Sequence, residues 1–117
     1  MHEERFKVLQ HIRELIVRVD KELENFPKRE IEIKTRIRNE CFDLLEIGYT
    51  ANSASDNKRK EEYIEVGIAK IKVLDFLLNF SYDKQLITAK KYLKLTEKLN
   101  DITKYFNGWL KKIKETK

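Results

Sequence analysis

Along most of this chain, apolar residues return every three or four positions among charged ones, the spacing of helices that each bury one face. Leu9, Ile12, Ile16, Val19 and Leu23 form the first such stripe, widened by Val8 and Leu15, and predict a helix over about residues 3–25. Phe26-Pro27-Lys28 ends it, because a residue before proline is pushed out of helical geometry while proline suits the first turn of the next helix. Ile33, Ile37, Cys41, Leu44, Gly48 and Ala51 mark a second helix over about residues 28–51, with Phe42, Leu45 and Tyr49 beside the stripe. Residues 52–57, Asn-Ser-Ala-Ser-Asp-Asn, are the one extended turn-rich segment, and Asp56 or Asn57 is placed to cap a third helix. That helix, about residues 58–80, turns Ile64, Gly67 or Ile68, Ile71, Leu74 and Leu78 inward. Ser81-Tyr82-Asp83-Lys84 then interrupts the pattern, and Thr88 is the expected N-cap of a last helix over about residues 88–115.

Four helices joined by short connections predict one domain spanning residues 1–117, an all-α antiparallel up-down-up-down four-helix bundle. The last helix carries one stripe at Tyr92, Thr96, Leu99, Ile102 or Thr103, Phe106, Leu110 and Ile113, and a second, offset one at Leu95, Ile102, Tyr105 and Trp109. The third helix has a similar surplus at Val66, Val73 and Leu77. That is more apolar surface than four rods need among themselves, so self-association is expected, with Leu95, Tyr105, Trp109, Val66, Val73 and Leu77 at the oligomer interface. Gly48 and Gly67 fit the same picture of close helix approach, since each costs about 1 kcal/mol against alanine inside a helix.

Charge adds a direction to the bundle. The chain is formally +5, yet residues 88–117 hold nine lysines against three carboxylates, so the whole excess sits in the last helix. Lys90, Lys91, Lys94, Lys98, Lys104, Lys111 and Lys112, joined by Arg36 and Arg38, are the candidate contacts to the phosphates of nucleic acid, a contact largely indifferent to base sequence. The same lysines read alternatively as a solubilising face, in which case the surplus apolar stripes would serve a protein-directed adaptor.

Catalytic chemistry has little to start from. Among 117 residues there is one cysteine, Cys41, on an inner stripe, and the only imidazoles are His2 and His11. A Cys41–His11 pair is weighed against Cys41 as an ordinary small core residue, and the second is preferred. Arg5 and His11 match the Arg-x(4 to 6)-His spacing of helical ribonucleases of the HEPN class, although His11 lies in the first helix rather than a late one. No metal-ligand spacing or Gly-rich phosphate loop occurs, so no enzyme activity, metal or cofactor is expected. A lone cysteine, no leader-like start and no membrane-length apolar run give a cytoplasmic expectation.

With those residues in view, the chain resembles the accessory variability determinant (Avd) proteins that accompany the reverse transcriptase of diversity-generating retroelements. The resemblance rests on Phe26-Pro27-Lys28, on Arg36-Ile37-Arg38-Asn39 followed by Leu44-Leu45-Glu46-Ile47, and on Phe106-Asn107-Gly108-Trp109-Leu110-Lys111. Where that family ends in a Leu-Gly-Gly-Trp-Leu-Lys run after Glu-Ile-Gly-Arg, this chain has Asn107-Gly108 for the paired glycines and Thr103-Lys104 for Gly-Arg. The resemblance implies a four-helix protomer in a ring-like homopentamer with a basic surface. It further implies binding of DNA and RNA without sequence preference, and docking on the reverse transcriptase in support of mutagenic cDNA synthesis. The related four-helix bundle proteins of ribosomal RNA intervening sequences are the alternative.

Overall fold

Helical propensity and stripe spacing are realised as four rods in the computed structural model, which describes residues 3 to 116; His2 and Lys117 lie outside the described residues. Helix α1 spans Glu3–Leu23, α2 Ile31–Ser53, α3 Asn57–Asp83 and α4 Ala89–Glu115. No strand occurs among the described residues. Each helix packs on the next, and α4 closes the ring against α1, so that α1 and α3, like α2 and α4, sit diagonally. Cross-helix pairs run in opposite order along every neighbour: Arg13 with Tyr49 and Asp20 with Arg38, His11 with Tyr105 and Glu22 with Lys91. The same holds for Glu40 with Lys70 and Asn52 with Lys60, and for Gly67 with Phe106 and Tyr82 with Tyr92. The neighbours are therefore antiparallel, in a body of 49 × 23 × 19 Å.

The helix ends reflect local chemistry. Pro27 accepts from the Glu30 amide at 2.9 Å, so Lys28–Glu30 is a tight 3-10 turn and α2 proper begins three residues later than its stripe suggests. Asp56 caps α3 through the Lys58 amide at 2.9 Å, and Thr88 caps α4 through the Lys91 amide at 3.2 Å. The expected break at Ser81 is not there. Ser81 is fully buried, its hydroxyl donates to the Leu77 carbonyl at 2.8 Å, and α3 runs on to Asp83. The helix stops where Gln85 turns left-handed at φ 64, with Leu86 N donating to Ser81 O and Gln85 N to Tyr82 O.

Inside the ring, burial corrects the reading of α4. Leu95, Ile102 and Trp109 are as deeply buried as Leu99, Phe106 and Ile113, so both stripes form one core face. Leu95 and Trp109, expected between subunits, instead pack within the protomer, Trp109 at 3% exposure against Phe106. Burying side chains of this size contributes about 1.5–3 kcal/mol each. Of the remaining interface candidates, Leu77 and Tyr105 are partly buried, while Val66 and Val73 are exposed. The exposed surplus lies on the outside of α3, where Val66, Ala69, Val73, Phe76 and Phe80 alternate steps of three and four residues. Both glycines serve packing inside the bundle: a Cβ on Gly67 would lie 2.9 Å from the Phe106 ring, and one on Gly48 2.9 Å from a Leu9 methyl. Among the described residues, no helix is long and apolar enough to cross a membrane.

Candidate nucleic-acid interface

Because α4 packs on α1 rather than α2, its lysines find their cationic neighbours on the first helix. Lys91 and Lys94 line a cleft of about 280 Å³ with Arg18, Lys21, Glu22 and Leu95. Glu22 neutralises one of these charges, pairing with Lys91 at 3.3 Å. Further along the same seam, Lys7 and Lys104 lie 5.4 and 5.7 Å from the centre of the Tyr105 ring. Lys90, Lys94, Lys104, Lys111 and Lys112 are all exposed. Arg18, Lys21 and Lys7 are members of this face that the charge pattern of the last helix does not reveal. The short connections do carry the signal, since they already place α1 beside α4.

The strip is interrupted at its centre. Lys98, expected to meet phosphate, is 6% exposed and turned inward, where its ammonium donates to Glu14 and, at 2.7 Å, to Nδ1 of His11. An ammonium has no lone pair, so Nδ1 must accept and the imidazole is neutral. Burial, and then the Lys98 charge, hold the His11 pKa below its ordinary 6.5. The hydrogen bond from Lys98, supported by one from Gln10, pulls the Glu14 carboxyl below its usual range. Lys98 therefore ties α1 to α4 and contributes no free charge to the surface.

Arg36 and Arg38 are not brought to this face. Arg36 pairs with Glu40 at 3.0 Å and Arg38 with Asp20 at 3.1 Å, both on or beside α2, the helix diagonal to α4. Glu40 is itself buried: desolvation alone would raise its carboxyl, but contacts from Lys70 and Arg36 outweigh that and hold it low.

The aromatic residues near the lysines are committed to the fold. His11 stacks on Tyr105 with centroids 4.9 Å apart, Tyr92 accepts from Asn79 at 3.1 Å and stacks on Tyr82, and Trp109 is in the core. With these rings engaged in contacts within the protomer, the surface suits phosphate contact rather than base stacking. The catalytic candidates are likewise separated. Cys41 is buried, and desolvation pushes its thiol up to about 12, which leaves no thiolate for nucleophilic attack near neutral pH. His11 is held by Lys98 and Tyr105, whereas Arg5 lines a pocket at the end of the bundle. Among the described residues, no group of three or more His, Cys, Asp or Glu side chains could hold a metal ion.

Comparison with known proteins matches residues 6–113 to a family model described as bAvd-like. No curated protein and no solved structure gives a match.

Proposed function

The chain belongs to the bAvd-like family, an Avd-type accessory protein, and from that premise we propose that it acts without catalysis, binding nucleic acid and associating with the reverse transcriptase of a diversity-generating retroelement. The observation that carries the nucleic-acid part is the α1–α4 seam, where Arg18 and Lys21 join Lys91 and Lys94 around one cleft and Lys7 and Lys104 continue the strip. Charges spread along a rod of this kind neutralise successive phosphates and release their counterions, giving affinity without base selectivity. Assembly multiplies the effect. Copies held together by the outer face of α3 would present several such strips to one strand, raising avidity without any new contact.

The test is a binding titration of mixed-sequence RNA and DNA at several salt concentrations. Affinity is expected to fall steeply from low to physiological salt, with a log–log slope of about −0.9 per duplex phosphate contacted and about −0.7 on single strands. Changing Lys90, Lys94 and Lys104 to Glu should abolish binding and leave the helical circular dichroism intact, because all three are exposed. A flat salt response, or wild-type affinity in that variant, would defeat the proposal.

A protein-directed adaptor is the second reading. It is favoured by the exposed apolar stripe of α3 and by a groove of about 410 Å³ between α1 and α2, lined by Ile16, Val17, Cys41 and Phe42 among others. In that case the Lys-to-Glu variant would retain its protein partner, and the wild-type protein would ignore nucleic acid at low salt.

A further inference from the structure

At the end of the bundle where the start of α1, the start of α3 and the last turns of α4 meet, there is a pocket of about 200 Å³. Its walls include Arg5 from α1, Asn57 and Lys60 from α3, and Trp109, Lys112 and Ile113 from α4. Among the described residues, three that line it are cationic and none is acidic. The arrangement is electrostatically stressed. Lys60 has its ammonium held at 3.1 and 3.0 Å by the carbonyls of Ala51 and Asn52, and burial together with the neighbouring Arg5 charge lowers its pKa. Arg5 Nε is buried with no hydrogen-bond partner among the described residues, its guanidinium carbon 4.8 Å from the centre of the Phe6 ring. A buried guanidinium donor left unpaired is costly, and the cost disappears when an anion takes it.

We infer that this pocket binds a phosphate monoester, namely the terminal phosphate of a nucleic-acid strand; the strand as its source rests on the proposed nucleic-acid function. The planar fork of Arg5 suits a phosphate oxygen pair, and the combined charge of Arg5, Lys60 and Lys112 matches a dianionic monoester better than a single carboxylate. Size selects the end of a strand over its middle. The cavity falls below the roughly 300 to 1,000 Å³ of ordinary small-molecule sites, so it holds one compact oxyanion. A backbone phosphodiester carries one charge and a sugar on either side, and belongs on an open surface such as the α1–α4 seam. A terminal monoester carries up to two charges and only one sugar, which can project out of the mouth. The dipoles of the neighbouring helices do not decide the matter: α3 presents its positive end here and α4 its negative end, so the side chains set the sign.

Trp109 is the only tryptophan in the chain and lines this pocket, which makes its fluorescence a local reporter. The full-length protein is titrated with one oligonucleotide carrying a 5′-phosphate, with the same oligonucleotide ending in a 5′-hydroxyl, and with inorganic phosphate alone. The phosphorylated strand is expected to bind at least about tenfold more tightly than its hydroxyl twin and to shift Trp109 emission. In Arg5→Gln, checked for native circular dichroism, that preference should vanish while binding of the hydroxyl strand changes by less than about twofold. Lys60 is left in place because it holds the end of α2. Equal affinity for the two strands in the wild type, with no Trp109 response to inorganic phosphate, would overturn the inference. If neither strand binds but inorganic phosphate shifts Trp109 and Arg5→Gln removes the shift, the phosphate site stands and the nucleic-acid reading falls. Strand binding with no preference for the phosphorylated end, and with Trp109 silent throughout, would do the reverse.

Discussion

Lys98 on α4 reaches across to His11 on α1, its ammonium 2.7 Å from Nδ1, and the same ammonium holds Glu14. A lysine in the middle of a Lys-rich helix is thereby converted from a surface charge into a buried tie between the first and last helices. The tie has a definite pH signature. His11 has its pKa held below 6.5, so above that value it is neutral in both the folded and unfolded chains. As pH falls through the 6.5 region the unfolded imidazole takes a proton that the folded one resists, and stability is lost. Glu14 acts in the same direction at lower pH, because its folded pKa lies below the ordinary 4.5 and its contribution disappears as the carboxylate is protonated. Urea midpoints measured from about pH 7.5 down to about pH 4 should therefore decline, and His11→Asn should flatten the upper part of that decline. An unchanged slope in the variant would show that His11 is not the group responsible.

Two of the helix glycines, Gly48 and Gly67, should respond in opposite ways to alanine. Both gain about 1 kcal/mol of helix propensity. A Cβ on Gly67 meets the ring of the fully buried Phe106 at 2.9 and 3.1 Å, and overpacking of a rigid ring costs about 1–3 kcal/mol. Gly48 faces the end of the Leu9 side chain, which can swing aside. Gly67→Ala should lower the urea midpoint and Gly48→Ala leave it level or raised; the reverse order would contradict this packing.

Gln85 is in the left-handed region, which costs a residue with a side chain about 1–2 kcal/mol relative to glycine. Its backbone is needed there, since the Gln85 and Leu86 amides close the end of α3 on Tyr82 and Ser81. Gln85→Gly is expected to stabilise the fold by roughly 0.5–1 kcal/mol after the added freedom of the unfolded chain is subtracted. Chemical denaturation measures it directly.

On α3, Phe76 is 64% exposed and Val66, Val73 and Phe80 share its face at heptad spacing. Under the proposed self-association this stripe would be the knob row of a helix pair, with a second copy of the chain supplying an identical row. Val73→Glu with Phe76→Glu should convert an oligomer to a monomer in sedimentation while the thermal midpoint of the helices changes little. A wild-type protein that sediments as a monomer would remove the basis for this assignment.

Periodicity made the bundle legible, because burying one face of a helix needs only local spacing. Ile12, Ile37, Leu74 and Ile102 announce their inward faces with no knowledge of partners. Helix ends were legible where a side chain makes the cap, as at Asp56 and Thr88, and illegible at Ser81, whose hydroxyl satisfies itself on Leu77 and lets the helix continue.

By itself the sequence determined four amphipathic rods, their order, and the concentration of positive charge in the last of them. Only the tertiary structure decided which of those charges and apolar residues are available to anything outside the protomer. Lys98, Leu95 and Trp109 are drawn inward, Arg36 and Arg38 are paired off around the diagonal helix, and Arg5, Lys60 and Lys112 converge from three helices on one end. The physical reason is that helical period fixes how residues on one rod are arranged relative to each other. The rotation of each rod against its neighbours is set by how large side chains such as Phe106 and Trp109 interlock, and that depends on all four helices at once.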